Sequence, residues 1–370
     1  MPRPRHPAAR PSRRFDERDV IFSRRKLEEG SERYDAYYAA HPEREEIDRR
    51  FRTAPGLLDA RAALAHPLMF PAADATFDTV DLLHAAVDGA VHEKRTDVNA
   101  AALTTFVKGW LRQLGAHSVG VTQLRDEHCY SHAGRGDAYG KEILRRHQHA
   151  IAFTVEMDPR MVASAPAGSI VMESSREYLR SGAMAVQVAQ FLRRLGWPAR
   201  AHIDGKYEVV CPLIARDAGL GEIGRMGLLM TPRLGPRVRI AVITTDAPLL
   251  TDTQTHDETM LDFCTHCKKC ADACPGRAIS DGPRIDADGL ARWQIDSDAC
   301  FLVWNTLGTD CGRCVAVCPY SHPDTFLHNI VRRGIRLSPL IRRAAIRLDD
   351  LWYGRTPAPA SLPDWIPPAH

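Results

Sequence analysis

The chain has 370 residues, of which 44% are hydrophobic and 26% charged, with a formal net charge of +3. That length can bury a sizeable core, in two domains or in one with appendages. The weak positive balance does not argue for wholesale binding to nucleic acid or to membranes, and no segment reaches the roughly 20 apolar residues of a membrane span.

Residues 1–14 contain Arg3, Arg5, Arg10, Arg13 and Arg14, several prolines and no acid, a composition that predicts a disordered basic tail. Residues 15–77 read as a charged, partly helical arm. Its stretch Tyr34-Asp35-Ala36-Tyr37-Tyr38 is suited to pack the arm onto a neighbour. Arg24-Arg25-Lys26-Leu27 starts like a twin-arginine export signal. Glu28, Glu29, Gly30, Ser31 and Glu32 follow where an apolar stretch belongs, so the expectation is a cytoplasmic protein.

An α/β pattern begins near Asp78. A helix is predicted from about Asp97 to Leu114, ending at Gly115, a good residue for a left-handed helix stop. Val119-Gly120-Val121 then reads as a short strand. This unit recurs: Phe106 to Gly115 reads FVKGWLRQLG and Gln187 to Gly196 reads QVAQFLRRLG, each followed by a short apolar segment. Two amphipathic helices of similar composition account for the match, and so does an internally duplicated α/β sandwich. Ile151 to Val155 and Arg239 to Thr244 are further strands, the latter a continuous apolar run suited to burial. An α/β core over 78–255 results.

Cysteine usage carries the first chemical signal. Of ten cysteines, eight lie between Cys264 and Cys318. Such density in a long chain reads as metal ligation in a reducing compartment rather than a disulfide framework. Cys264, Cys267, Cys270 and Cys274, followed by Pro275, have the C-x2-C-x2-C-x3-C-P spacing of bacterial ferredoxins. Three cysteines on a tight loop cap one iron–sulfur cube and the fourth departs to ligate the other. Cys300, Cys311, Cys314 and Cys318, followed by Pro319, repeat the pattern with the first cysteine displaced upstream. Crossing the fourth ligands assigns Cys264, Cys267, Cys270 and Cys318 to one [4Fe–4S] cluster and Cys300, Cys311, Cys314 and Cys274 to the second. A pair of zinc sites also needs four ligands each, but not this run. The expected ferredoxin-like domain spans 256–325. Cys129 and Cys211 stand alone and read as core residues. His128, Cys129 and His132 lack a fourth ligand for a metal site.

Two adjacent clusters conduct electrons but do no organic chemistry by themselves. Gly219, Gly221, Gly224 and Gly227 permit tight turns and close approach to a flat ligand. Gly219-x-Gly221-x-x-Gly224 matches the dinucleotide fingerprint as a bare pattern, but the preceding Ile214-Ala215-Arg216-Asp217-Ala218 is not a strand.

Arg216 to Met230 (RDAGLGEIGRMGLLM), then Thr231 to Arg239 (TPRLGPRVR) and Thr244-Thr245-Asp246-Ala247-Pro248-Leu249, resemble the corrinoid-dependent reductive dehalogenases. Arg292-Trp293-Gln294-Ile295-Asp296, Trp304 and Cys311-Gly312-Arg313-Cys314 continue the resemblance. So do Tyr130 to Arg135 and Val155-Glu156-Met157-Asp158. It covers roughly residues 15–325. It implies an α/β, nitroreductase-like sandwich as corrinoid-binding core, with Gly219, Gly221, Gly224, Arg225 and Met226 against a cobalamin. Asp-x-His-x-x-Gly is absent, which fits the family's base-off corrinoid. The implied reaction is removal of halogen from an organohalide, a halogenated aromatic by expectation, with electrons from an external ferredoxin or flavodoxin-type donor. Tyr178 is the implied proton donor, placed at the start of the second repeat helix. Arg237 is its supporting arginine, and Asp204 and Lys206 face the substrate. The related epoxyqueuosine reductases share the glycine segment and clusters but tend to carry Trp and Lys where this chain has Glu222 and Arg225. A tRNA-modifying enzyme of that kind, a corrinoid reductase of other substrate and a plain electron carrier are the competing readings. Residues 326–370 contain seven arginines and are expected to form a basic amphipathic helical tail packed on the core.

Overall fold

The computed structural model describes residues 13–253, 257–287 and 289–368. The tail expected over 1–14 lies almost wholly outside them.

The centre is a four-stranded sheet in the order β1-β2-β6-β3, formed by Ser118–Gln123 (β1), His149–Glu156 (β2), Ala199–His202 (β3) and Val238–Thr245 (β6), every neighbouring pair antiparallel. Alternation along the two central strands sorts the core. Ile151, Phe153 and Val155 with Ala241 and Ile243 face the helices Ala100–Leu114 and Gly168–Arg194. Ala150, Ala152 and Val242 face the opposite layer, which contains the helix Cys211–Asp217. The strands are therefore buried on both faces, which explains their continuous apolar runs in an antiparallel sheet.

The Ala100–Leu114 helix starts where the Asn99 side chain accepts the Ala101 and Ala102 amides, and it stops at Gly115, φ 111°. The second repeat helix is longer than the motif indicated and runs through Gly168–Arg194. The strands that follow the two repeat helices, β1 and β3, lie at opposite edges of the sheet. The pairs β1-β2 and β3-β6 thus stand as two halves about the sheet centre. A helix at Met69–Leu82 packs on Gly168–Arg194, so the expected boundary at 77/78 falls within a continuous helix.

The arm packs on its own chain. Tyr34, Tyr37 and Tyr38 are buried with Leu27, and Phe51 meets Phe301 at 5.2 Å between ring centroids. Arg24 is buried between Asp48 and Asp298. Glu222–Ile223 (β4) and Leu229–Met230 (β5) form a small hairpin, and Ile285–Ala287 (β7) and Leu290–Arg292 (β8) form another. The C-terminal part is a helical hairpin, Phe326–Leu337 and Pro339–Tyr353. Among the described residues no helix is long and apolar enough to cross a membrane.

Candidate functional site

The cysteines lie on two copies of one local device. The helix Glu258–Cys267, capped by Asp257, presents Cys264 and Cys267. Lys268 then takes a left-handed conformation and the four-residue helix Lys269–Asp272 holds Cys270. In the second run Ser297–Leu307 carries Cys300, Cys311 and Gly312 are left-handed, and Arg313–Ala316 holds Cys314. The reversal at each left-handed residue folds successive cysteines back toward one centre.

The thiols of the two runs sense one another. Burial pushes the Cys318 thiol far up, and the charges of Cys264, Cys267 and Cys270 add to it. Burial does the same to Cys314, which faces Cys270 first and then Cys311, Cys300 and Cys274. Cys267 and Cys270 are each pushed up to about 12, mainly by burial. Buried, mutually repelling thiols become favourable ligands once a cation neutralises them. A cavity is lined by all of Cys264, Cys267, Cys270 and Cys318. Among the described residues, however, no three His, Cys, Asp or Glu side chains converge closely enough to hold one ion.

The glycine segment divides its labour. Gly219, φ 78°, ends the helix Cys211–Asp217, its amide donating to the Arg216 carbonyl at 2.9 Å. Gly221 lets β5 approach: a Cβ there would stand 2.1 Å from the Met230 carbonyl oxygen. Gly224 and Gly227 line a cleft of about 810 Å³ with Leu213, Leu261 and Trp293. A Cβ would meet the Met230 side chain at 2.5 Å from Gly224, and the Ile295 side chain at 2.4 Å from Gly227. The buried Trp293 Nε1 has no partner. The cleft shares Phe15, Val210, Arg292 and Ile295 with a larger one of about 1400 Å³ under the arm. Arg225 and Met226 do not face the cleft as the sequence suggested. Arg225 is 1% exposed and donates to the carbonyls of Cys264, Thr265, Ser280 and Gly282. Met226 lines the cysteine cavity. Both serve the metal side of the hairpin.

Tyr178 lies ten residues into the Gly168–Arg194 helix rather than at its start. The guanidinium over its ring, at 5.0 Å from the centroid, belongs to Arg239. Arg237, two residues earlier on the same strand face, is fully buried elsewhere. It donates to the Ser321 carbonyl at 2.9 Å, the Glu156 carboxylate at 2.7 Å and the Met157 carbonyl. Arg239 in turn donates to Ser174 and to Asp310 at 3.0 Å, and Ser174 donates to Asp310. Asp310 immediately precedes Cys311.

Burial pushes the Tyr178 phenol up to about 12, opposed by Arg239 and assisted by Asp204. Asp204, in the turn after β3, is raised by burial against the pull of Arg135 and Arg239. Tyr207 is pushed well up by burial, with Asp204, Tyr178 and Cys211 adding to the shift. These groups lie close enough to shift one another, and Tyr178, Asp204 and Tyr207 are each half-buried. Lys206 does not join them: it is exposed on the turn. Sequence reasoning missed Arg239, Ser174, Asp310, Tyr207 and Arg135. Only Arg239 left a signal, as the second arginine in Arg237-Val238-Arg239.

A family model for the 4Fe–4S dicluster domain matches residues 263–322. A tetrachloroethene reductive dehalogenase from Desulfitobacterium hafniense is 35% identical over 215 residues, covering 55% of this chain and 38% of its own length. One from Sulfurospirillum multivorans is 30% identical over 288 residues, covering 68% and 57%. The solved catabolic reductive dehalogenase NpRdhA, in complex with 3-bromo-4-hydroxybenzoic acid, superposes with a TM-score of 0.77 at 25% identity, covering 95% of this chain and 48% of that one. The chain is homologous to reductive dehalogenases, and it spans about two fifths to three fifths of the curated relatives it matches.

Proposed function

We propose that this homologue of the reductive dehalogenases is itself one, acting on a small organohalide with a base-off corrinoid and two [4Fe–4S] clusters. The observation that carries the reading is Arg239, which covers Tyr178 and ion-pairs with Asp310, one residue from a cluster cysteine. Proton donor and electron path thereby meet at one side chain.

Cys264, Cys267, Cys270 and Cys318 hold one cluster and Cys300, Cys311, Cys314 and Cys274 the other. The coupling of Cys318 to Cys264, Cys267 and Cys270, and of Cys274 to Cys300 and Cys311, supports that division, while Cys314 meets Cys270 of the other set most strongly. A single tetrahedral zinc would draw its sulfurs to about 4 Å from each other, given Zn–S bonds of ~2.3 Å. This chain has instead the C-x2-C-x2-C-x3-C-P spacing of the ferredoxins, which favours a cube over a lone ion. The corrinoid would lie in the cleft lined by Gly224, Gly227 and Trp293, whose Nε1 has no protein partner. When bound, it supplies low-valent cobalt for attack on the carbon–halogen bond.

The chain's own residues complete the conversion of R–X, two electrons and one proton into R–H and halide. Tyr178 stays protonated at neutral pH, so its hydroxyl holds the proton the carbon receives. Arg239 stabilises the phenolate left behind, and Asp310 and Ser174 fix Arg239. Asp204 and Tyr207, which neighbour Tyr178, would face the substrate beside it. An external ferredoxin or flavodoxin-type donor feeds the clusters, in the cytoplasm, where ten unpaired cysteines stay reduced. In this reading the sheet unit is a nitroreductase-like sandwich, supported by the repeat strands at its two edges. It divides the chain into an arm, a corrinoid- and substrate-binding unit to about 255, a cluster unit over 256–325 and a C-terminal hairpin.

The test is halide release by protein reconstituted anaerobically with iron, sulfide and hydroxocobalamin, given a strong one-electron donor and a panel of halogenated phenols and alkenes. Enzyme-dependent release above free cobalamin is expected. Fully loaded protein that releases none, but turns over a tRNA carrying the queuosine precursor, would transfer the site to the epoxyqueuosine chemistry.

A further inference from the structure

The C-terminal helical hairpin is inverted relative to a surface helix of a soluble domain. Arg332, Arg342 and Asp349 face inward, while Arg333, Arg336, Arg343 and Arg347 stay exposed. Arg332 donates to the Tyr320 and His322 carbonyls, Arg342 to Asp262, and Asp349 meets Lys269 and His322. Its large apolar residues face out: Trp352 is 83% exposed, Leu351 82%, Leu337 81%, Phe326 78% and Leu340 76%. Buried charge together with an exposed apolar face is the informative combination, since lone exposed leucines are ordinary.

At about 100° per residue, Leu340, Ile341, Leu348, Leu351 and Trp352 form one stripe of roughly 120°, and Arg343 and Arg347 lie along one edge of it. The first helix repeats this with Phe326, Ile330 and Leu337 and with Arg333 at the edge. Arg333, Arg343 and Arg347 are exposed and make no ion pair among the described residues. The acids of the hairpin are spent: Asp349 is buried, and Asp350 pairs with Lys269 and Arg355.

We propose that this hairpin is an interfacial anchor that lies on an anionic lipid bilayer, the apolar stripes entering the acyl boundary and the arginines meeting headgroup phosphates. Apolar face, tryptophan and edge arginines are what such an interface takes, and the cytoplasmic leaflet is anionic. A second copy of the chain would bring arginines against arginines, with no free acid on the hairpin to receive them. The inference is independent of the reaction assigned to the site.

Vesicle flotation of the full, anaerobically reconstituted chain tests it, with phosphatidylglycerol–phosphatidylcholine vesicles against phosphatidylcholine alone. The chain should float with the anionic vesicles and lose them as salt rises. Each arginine contributes about fivefold to partition, so Arg343→Glu with Arg347→Glu should weaken it by roughly 25-fold or more. Leu351→Ser with Trp352→Ser should abolish it. Both pairs are exposed, so iron content and circular dichroism should not change, and brominated lipid should quench fluorescence that the Trp352→Ser chain lacks. No flotation with anionic vesicles overturns the proposal, as does equal flotation of both variants. A stable dimer in sedimentation velocity that Leu351→Ser with Trp352→Ser dissociates would assign the face to a second copy and overturn it equally.

Discussion

In an Arg237→Gln variant, a fully buried guanidinium is lost together with its bonds to the Ser321 carbonyl, the Glu156 carboxylate and the Met157 carbonyl. Bonds to a charged donor are worth ~1.5–3 kcal/mol each, and glutamine recovers about one, so the cost is roughly 3–5 kcal/mol. For a unit the size of the sheet domain that corresponds to a melting point lower by about 6–20 °C. Ser321 follows Cys318 by three residues, so iron content should fall too. Arg239→Gln should behave in the opposite way. Its side chain is 17% exposed and its partners are Tyr178, Ser174 and Asp310, so the fold loses only about 1–2 kcal/mol. Turnover, however, should fall about 10²-fold, the scale for removing one preorganised donor. The Tyr178 phenol, already pushed up to about 12, also loses the cation opposing that shift and becomes a poorer acid. Halide release, thermal melting and iron per chain, measured on both variants side by side, resolve the two effects. Arg237→Gln with full iron and an unchanged melting point but no turnover, beside an active Arg239→Gln, would refute the placement.

Tyr178→Phe should abolish halide release while leaving iron and corrinoid content intact, and full activity would remove Tyr178 from the chemistry. Cys274→Ala should lower iron from about eight to about four atoms per chain, because Cys274 completes the group of Cys300, Cys311 and Cys314; loss of all iron would contradict the crossed assignment. Stability should decline as pH falls below about 6.5. His202 Nδ1 accepts the Glu208 amide, so Nε2 carries the proton and faces Thr244 Oγ1 at 2.9 Å. Burial holds this ring neutral, well below its ordinary pKa of 6.5. Under acid the unfolded chain binds a proton the folded chain refuses, so stability is complete above that pKa and is lost below it. His202→Gln should flatten the urea midpoint between about pH 6.5 and 5; an unaltered slope would place the acid sensitivity elsewhere.

The cysteine runs were legible because the ligand pattern is local. Spacing and a following proline decide which thiols share a loop, and residues 263–322 match the 4Fe–4S dicluster domain. The Ala100–Leu114 helix, its Gly115 stop and the two central strands were legible for the same reason, since capping and periodicity act over a few residues. The resemblance also singled out Tyr178 and Asp204, which the fold brings within electrostatic range of each other.

What sequence could not settle was which of several similar side chains points where. Arg237 and Arg239 differ by one step along one face of β6. Pairing of β6 with β2 sets Arg239 opposite Val155, deep enough to reach Tyr178, and leaves Arg237 at the strand entrance beside Ser321. Ser174 and Asp310 are 136 residues apart and meet only when the long helix crosses the cluster segment. Arg225 is claimed by four carbonyls because the β4-β5 hairpin folds onto the cysteine loop, and Lys206 is left outside because Gly205 turns the chain outward. Local rules reach only a few residues along the chain, whereas a buried polar group must find its partner wherever the tertiary fold supplies one. The sequence by itself therefore determined the metal chemistry and the elements, and the packing of distant segments decided which arginine serves the site.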